Sequence, residues 1–148
     1  MVNFKDIPPE MIIKRLSEEL SKSVKEPAWV KDVKTGEHKE RGPDDDNWYF
    51  VRLASLLRKI AVMGPIGLER LSAEYGGKVD RGSRRYHSST GSKKIIRNAL
   101  QDLEKLGYVV KNKNGRSLTP AGLKKLNALS LESLNELKEK VPAIEKYA

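Results

Sequence analysis

The chain has 148 residues, no cysteine and a formal net charge of +9. That length suits one domain with appendages, burying roughly 70% of its unfolded surface. Structural disulfides and cysteine-ligated metals are excluded, no apolar run approaches the ~18–20 residues of a membrane span, and the opening MVNFKDIPPE does not read as a signal peptide.

The excess charge sits in one place. Residues 1–50 sum to −2, residues 51–97 to +8 and residues 98–148 to +3. Such concentration implies an electropositive face and a polyanionic partner. A single glutamine among abundant Lys and Glu leans towards a thermophile.

Taken in order, residues 8–24 read as an amphipathic packing helix, with Ile13, Leu16, Leu20 and Val24 inward, Pro8-Pro9 at its start and Asp6 as a cap. Residues 25–46 form a long connection, with Trp29-Val30 pinning it to the core. Asp44-Asp45-Asp46 at its end reads as capping for the next helix rather than as a cation site. The central helix, 47–63, has a broad apolar face of Phe50, Leu53, Leu57, Ile60 and Ala61. Arg52, Ser55 and Lys59 share its opposite face, with Arg58 to one side. These bases are either a solvated face or phosphate contacts; no acid lies between Asp46 and Glu69 to pair with them.

Gly64-Pro65 stops that helix, and a short one follows over about 66–75 with Leu68 and Leu71 inward, ended by Gly76-Gly77. The next stretch, Gly76 to Arg97, carries seven cations (Lys78, Arg81, Arg84, Arg85, Lys93, Lys94, Arg97) against one anion, Asp80. Residues 77–91 read as a Gly/Ser-rich loop whose charges repel one another, so it is expected to be mobile when free. Tyr86 and His87 either stack on a partner or tuck onto the domain. The loop feeds a helix over about 91–106 with Ile95, Ile96, Ala99, Leu100, Leu103 and Leu106 inward and Lys93, Lys94, Arg97 and Gln101 outward. Cations in a first helical turn oppose the macrodipole, a broken local rule that points to a site for an anion.

Gly107 ends this helix. Tyr108–Lys113 and Arg116–Thr119 flank Asn114-Gly115, a type I′ hairpin signal that would set Lys113 opposite Arg116. Thr119 caps and Pro120 begins a helix to about Leu129, with Leu123, Leu126 and Leu129 inward. Ser130 then caps a separate segment, 131–140, whose Leu131, Leu134 and Leu137 either pack back or face a partner; Pro142 ends it and the last residues fray. The fold class is therefore mainly α: a winged helix-turn-helix-like helical domain with a small β-hairpin wing, a core of about residues 4–128 and a C-terminal helical extension over 130–148. The 77–91 connection is far longer than a helix-turn-helix turn.

Several ordered pieces resemble a known family: Pro27-Ala28-Trp29-Val30, Asn47-Trp48-Tyr49-Phe50 with Arg52-Leu53-Ala54-Ser55, Glu74-Tyr75-Gly76-Gly77, Gly91-Ser92, Leu100-Gln101-Asp102-Leu103-Glu104 and Leu118-Thr119-Pro120-Ala121-Gly122. Over about residues 4–128 the chain resembles the archaeal and eukaryotic ribosomal protein family S-nineteen-e. The resemblance implies a structural constituent of the small ribosomal subunit that binds ribosomal RNA in the subunit head and supports its maturation. Its partners would be that RNA and other small-subunit proteins, in the cytoplasm. The implied RNA surface includes Arg52, Arg58, the 77–92 loop, Lys93 and Arg97. Asn98 stands where a second base after Arg97 is expected, and 130–148 has no counterpart in the resemblance.

The full set of candidate RNA contacts is Arg52, Arg58, Lys59, Lys78, Arg81, Arg84, Arg85, Lys93, Lys94, Arg97, Lys113 and Arg116. The alternative is a winged-helix DNA-binding transcriptional regulator, with Lys93, Lys94, Arg97 and Gln101 in a major groove. An enzyme is not expected. The two histidines, His38 and His87, have no nucleophile or metal spacing, and no phosphate-loop signature is present. No cofactor, metal or small-molecule substrate is expected.

Overall fold

Apolar periodicity and glycine punctuation divide residues 2–146, those described by this computed structural model, into five helices and two antiparallel hairpins. In chain order they are α1 (Pro9–Ser23), α2 (Trp48–Met63), α3 (Leu68–Glu74), β1 (Gly77–Val79), β2 (His87–Ser89), α4 (Lys93–Lys105), β3 (Val109–Asn112), β4 (Gly115–Leu118) and α5 (Pro120–Lys140). The mainly-α, winged-helix-like plan holds.

α2 is the axis of the core. Trp48, Tyr49, Phe50, Leu53, Ala54, Leu56, Leu57 and Ile60 are all buried, so apolar residues turn through more than one face. α1, α4, α5 and β4 pack around it. Trp29 and Trp48 meet the Tyr49 ring edge-on at 5.8 and 5.9 Å, and the Trp48 indole N–H donates to the Val30 carbonyl at 3.2 Å. The long connection is thus pinned at Trp29-Val30, as its sequence suggests. The Tyr49 hydroxyl donates to Asp102 of α4 at 2.6 Å, and burial together with this bond raises the phenol well above its ordinary pKa.

The wing is wider than two strands. Ile66 exchanges backbone hydrogen bonds with Arg116 at 3.0 and 2.9 Å, adding a third rung beside β4. This is why residue 115 is glycine: a Cβ there would stand 2.5 Å from the Ile66 carbonyl, and its φ is +120°.

Several expectations are corrected. In α1 Ile12 joins Leu16 and Leu20 as a fully buried residue, at i and i+4 on one helix face, while Ile13 is only partly buried against the core; Val24 is the half-buried C-cap. Asp6 does not cap α1. It closes a capping box with Asn3 on a 3-10 turn at Phe4–Asp6. Nor do Asp44-Asp45-Asp46 cap α2 with their side chains: the first N–H groups bond backbone carbonyls of Asp45 and Asn47, and Asp44 faces Arg41 at 3.4 Å. The wing register is shifted by one pair. Lys111, not Lys113, lies opposite Arg116, and Lys113-Asn114 form the turn. Only Gly115 takes positive φ there, so the type I′ turn is not formed.

Ser130 does not break the last helix. Its hydroxyl donates to Leu126 O at 2.7 Å, and that of Ser133 to Leu129 O at 2.8 Å, so both polar groups are satisfied inside one continuous 21-residue helix. α5 packs back on α1, where Arg15 bridges Glu132 (2.9 Å) and Glu136, and Lys125 meets Glu19. Leu126, Leu129 and Leu134 are buried, but Leu123 and Leu131 stay exposed. The core therefore runs past residue 128. α5 is followed by a 3-10 turn at Pro142–Lys146 with Ile144 against the core. The fraying expected at 147–148 lies outside the described residues.

The Tyr49–Asp102 bond yields a test. A phenol whose folded pKa is raised contributes stability fully below its unfolded value near 10, and loses it as pH climbs above that value. Thermal stability is expected to fall above about pH 10, and Tyr49→Phe to cost about 1–3 kcal/mol at pH 7 by leaving Asp102 Oδ2 without its donor, Lys105 reaching only the other oxygen at 3.4 Å. Melting curves across pH check both.

Candidate nucleic-acid interface

The segment read as a loop is a hairpin. Gly77, Lys78 and Val79 pair with Ser89, Ser88 and His87, leaving 80–86 as the tip. Backbone pairing joins its two roots, a contact that composition alone does not show. Asp80, the one acid of the stretch, accepts from Gly82 N–H at 2.9 Å, and Gly82 takes φ +71° to make that turn. Residues 80–88 are all exposed.

The neck of this hairpin is too narrow for side chains. A Cβ on Gly76 would penetrate the Ser89 carbonyl oxygen and lie 3.1 Å from Thr90 Cα; one on Gly91 would stand 3.0 Å from Tyr75 Cβ. Behind the neck lies the long connection. Gly36 bridges to Gly91, Thr35 O accepts from Ser92 N–H at 2.9 Å, and Ser89 donates to Glu37 at 3.2 Å. The His38 ring fills the space between Gly36 and Gly77, where either Cβ would come within 2.7 Å of it. Residues 25–46 thus act as a buttress for the hairpin.

In front of the neck, Tyr75 collects the bases of α2. The Arg52 guanidinium stacks 4.0 Å from its ring centroid and Lys59 Nζ lies 5.1 Å away; the Tyr75 and Ser55 hydroxyls bond at 2.8 Å. Lys59 also pairs with Glu74 at 3.2 Å, an acid supplied from outside the window in which the sequence offered none. Burial lowers the Arg52 pKa, with Tyr75 acting the other way, and burial raises the Tyr75 phenol. Arg58 is half-buried, with its Nε shielded and unbonded.

The twelve candidate cations thus divide. Arg52 and Lys59 are folded onto Tyr75, Lys93 pairs with Glu69 of α3 at 2.6 Å, and Arg116 pairs with Glu104 at 3.2 Å. Glu104 is the anion that lets Arg116 sit across from Lys111. Among the described residues Lys78, Arg81, Arg84, Arg85, Lys94, Arg97 and Lys113 have no acid partner, and all seven are exposed. Six of them lie on the hairpin and the N-terminal half of α4. The first turn of α4 contains no acid, and Ser92 makes no side-chain cap bond, so its free N–H groups add to the positive potential. Sequence reasoning missed Tyr75, Gly91 and His38 as the parts that fix this geometry. The double glycine after Tyr75 was their one visible signal.

A profile of the family described as "Ribosomal protein S19e" matches residues 3–136. The chain belongs to that family. The chain is similar to the small ribosomal subunit protein eS19 of Thermoplasma volcanium (48% identity, 99% of each chain) and of Aeropyrum pernix (40% identity, 99% of each). It is also similar to small ribosomal subunit protein eS19A of Schizosaccharomyces pombe, at 38% identity over 93% of this chain and 98% of that one. These are ribosomal proteins, not enzymes, and the match runs past residue 128 into α5. Among the described residues no group of three potential metal ligands converges and no helix is long and apolar enough to cross a membrane.

The neck gives the second test. Gly76→Ala is expected to lower stability by about 1–3 kcal/mol, since the Cβ meets backbone that cannot step aside. Gly67→Ala, where a Cβ meets nothing within 4 Å, is the control. Hydrogen exchange of the β1–β2 ladder, compared between the two variants, reads whether the hairpin root is what opens.

Proposed function

We propose that the protein is a structural constituent of the small ribosomal subunit in the cytoplasm, binding ribosomal RNA in the subunit head and supporting assembly and maturation of that subunit. The observation that carries this reading is the set of acid-free cations gathered on the hairpin and the start of α4, within a chain of the S19e family. Lys78, Arg81, Arg84, Arg85, Lys94 and Arg97 take phosphate oxygens directly, with Lys113 on the wing as a further contact. Arg52, Arg58, Lys59, Lys93 and Arg116 back the surface. Their charge adds to its potential, while the contacts of Arg52, Lys59, Lys93 and Arg116 with Tyr75, Glu74, Glu69 and Glu104 fix the elements that carry it. Other small-subunit proteins are its neighbours.

The winged-helix DNA reading needs α4 to enter a major groove. The hairpin leads straight into the N-terminus of α4, β2 ending at Ser89 and the helix starting at Lys93, and that is the end with which such helices contact bases. Family membership favours RNA.

Gradient sedimentation of a lysate is expected to show the protein travelling with small subunits at moderate salt; recovery free of ribosomes, or on DNA, would overturn the proposal. In purified form, Arg84→Ala with Arg85→Ala is expected to flatten the slope of log affinity for subunit RNA against log salt by about 1.4–1.8. Arg116→Ala, which removes an internally paired base, is expected to leave that slope unchanged and lower the melting temperature.

A further inference from the structure

We propose that Tyr86 is a base-stacking residue, so that the hairpin tip takes RNA with an unpaired nucleotide in preference to a continuous duplex. This rests on the RNA-binding reading above and specifies the ligand of the same site. Most aromatic rings of this protein have an internal use. Trp29, Trp48, Tyr49 and Phe50 form edge-to-face pairs, Tyr75 carries Arg52 and Lys59, Phe4 is buried, and Tyr108 packs against the core. Tyr86 is different: its ring is 61% exposed and it makes none of these aromatic or cation contacts. The sequence left open whether this ring tucks onto the domain; it does not.

Its placement is specific. Val79–His87 is the last rung of the ladder, so Tyr86 is the first residue of the tip, directly after Arg84 and Arg85 and one step from the Asp80–Gly82 turn. A large ring left this exposed contributes little burial to the fold. Beside two guanidinium forks, it is suited to a ligand that offers phosphate and a flat face together. In a continuous A-form helix the base faces are covered by their neighbours and the major groove is too deep and narrow for side chains. A splayed nucleotide in a bulge, loop or junction exposes its face, and aromatic side chains hold such bases without reading their identity.

The test uses the full chain and two labelled RNAs: a perfect hairpin duplex and the same duplex carrying a three-nucleotide bulge. The wild type is expected to prefer the bulged RNA. Tyr86→Leu is expected to lose about tenfold on the bulged RNA and less than about twofold on the duplex, while Tyr86→Phe keeps the wild-type preference. The salt slope should not change in either variant, since no charge is removed. No preference in the wild type, no loss in Tyr86→Leu, or equal loss on both RNAs would overturn the inference while leaving the phosphate-binding surface intact. Failure of the wild type to bind either RNA would overturn the proposed function itself.

Discussion

At Gly76 there is no room for a methyl group. The Ser89 carbonyl of the returning strand occupies that space, and Gly91 leaves a smaller clearance for Tyr75, whose Cβ would lie 3.0 Å from an added Cβ. A helix-turn-helix ordinarily joins its two helices by three or four residues. Here eighteen residues, 75–92, leave and return through a neck with no room for a Cβ at Gly76, so α3 and α4 keep their packing while a charged hairpin projects from between them. Everything distinctive about the surface depends on that closure. The Tyr75 cluster and the 25–46 connection, the latter through Thr35, Gly36, Glu37 and His38, both pack against the neck.

The same geometry sorts the charges. A base close to the body of the fold finds a carboxylate or a ring: Lys59 finds Glu74, Lys93 finds Glu69, Arg116 finds Glu104, and Arg52 lies on Tyr75. These contacts orient elements and are worth little as isolated surface pairs. A base beyond the neck has no acid to meet, because Asp80 is occupied with turning the tip. On the proposed RNA-binding reading, repulsion among the free cations is relieved by phosphates, affinity from counterion release comes from the hairpin and α4, and the internally paired bases mainly set where the hairpin points.

Much of this was legible in the sequence. The apolar periodicity of α4 named the buried residues Ile95, Ile96, Ala99, Leu100 and Leu103, and outward Lys94 and Arg97 were read correctly as exposed. The winged-helix order and the pin at Trp29-Val30 were equally visible. The S19e resemblance rested on short motifs in order, and the family match bears it out. What escaped was long-range. Gly76-Gly77 does end α3, as read, but the second role of Gly76, leaving room for the Ser89 carbonyl, escaped because that strand lies a dozen residues on. Ser130 looked like a cap because a serine's preference for helix ends is local, whereas packing against α1 carries α5 through it. The wing register slipped by one because Asn114-Gly115 suggested its own turn, while the real constraint is the approach of Gly115 to Ile66. Each of these contacts joins residues that local propensity does not pair.

The central claim is that the tip binds and the neck folds, as separable parts. Val79 and His87 are the last paired residues, so the tip, 80–86, can be replaced by Asn-Gly, a two-residue turn that closes such a ladder. The decisive measurement is the affinity of that variant for small-subunit RNA, taken beside its thermal melt. The account requires a melting temperature close to the wild type and an affinity lower by at least tenfold, with a shallower salt slope. A variant that melts normally and binds RNA as tightly as the wild type would contradict it.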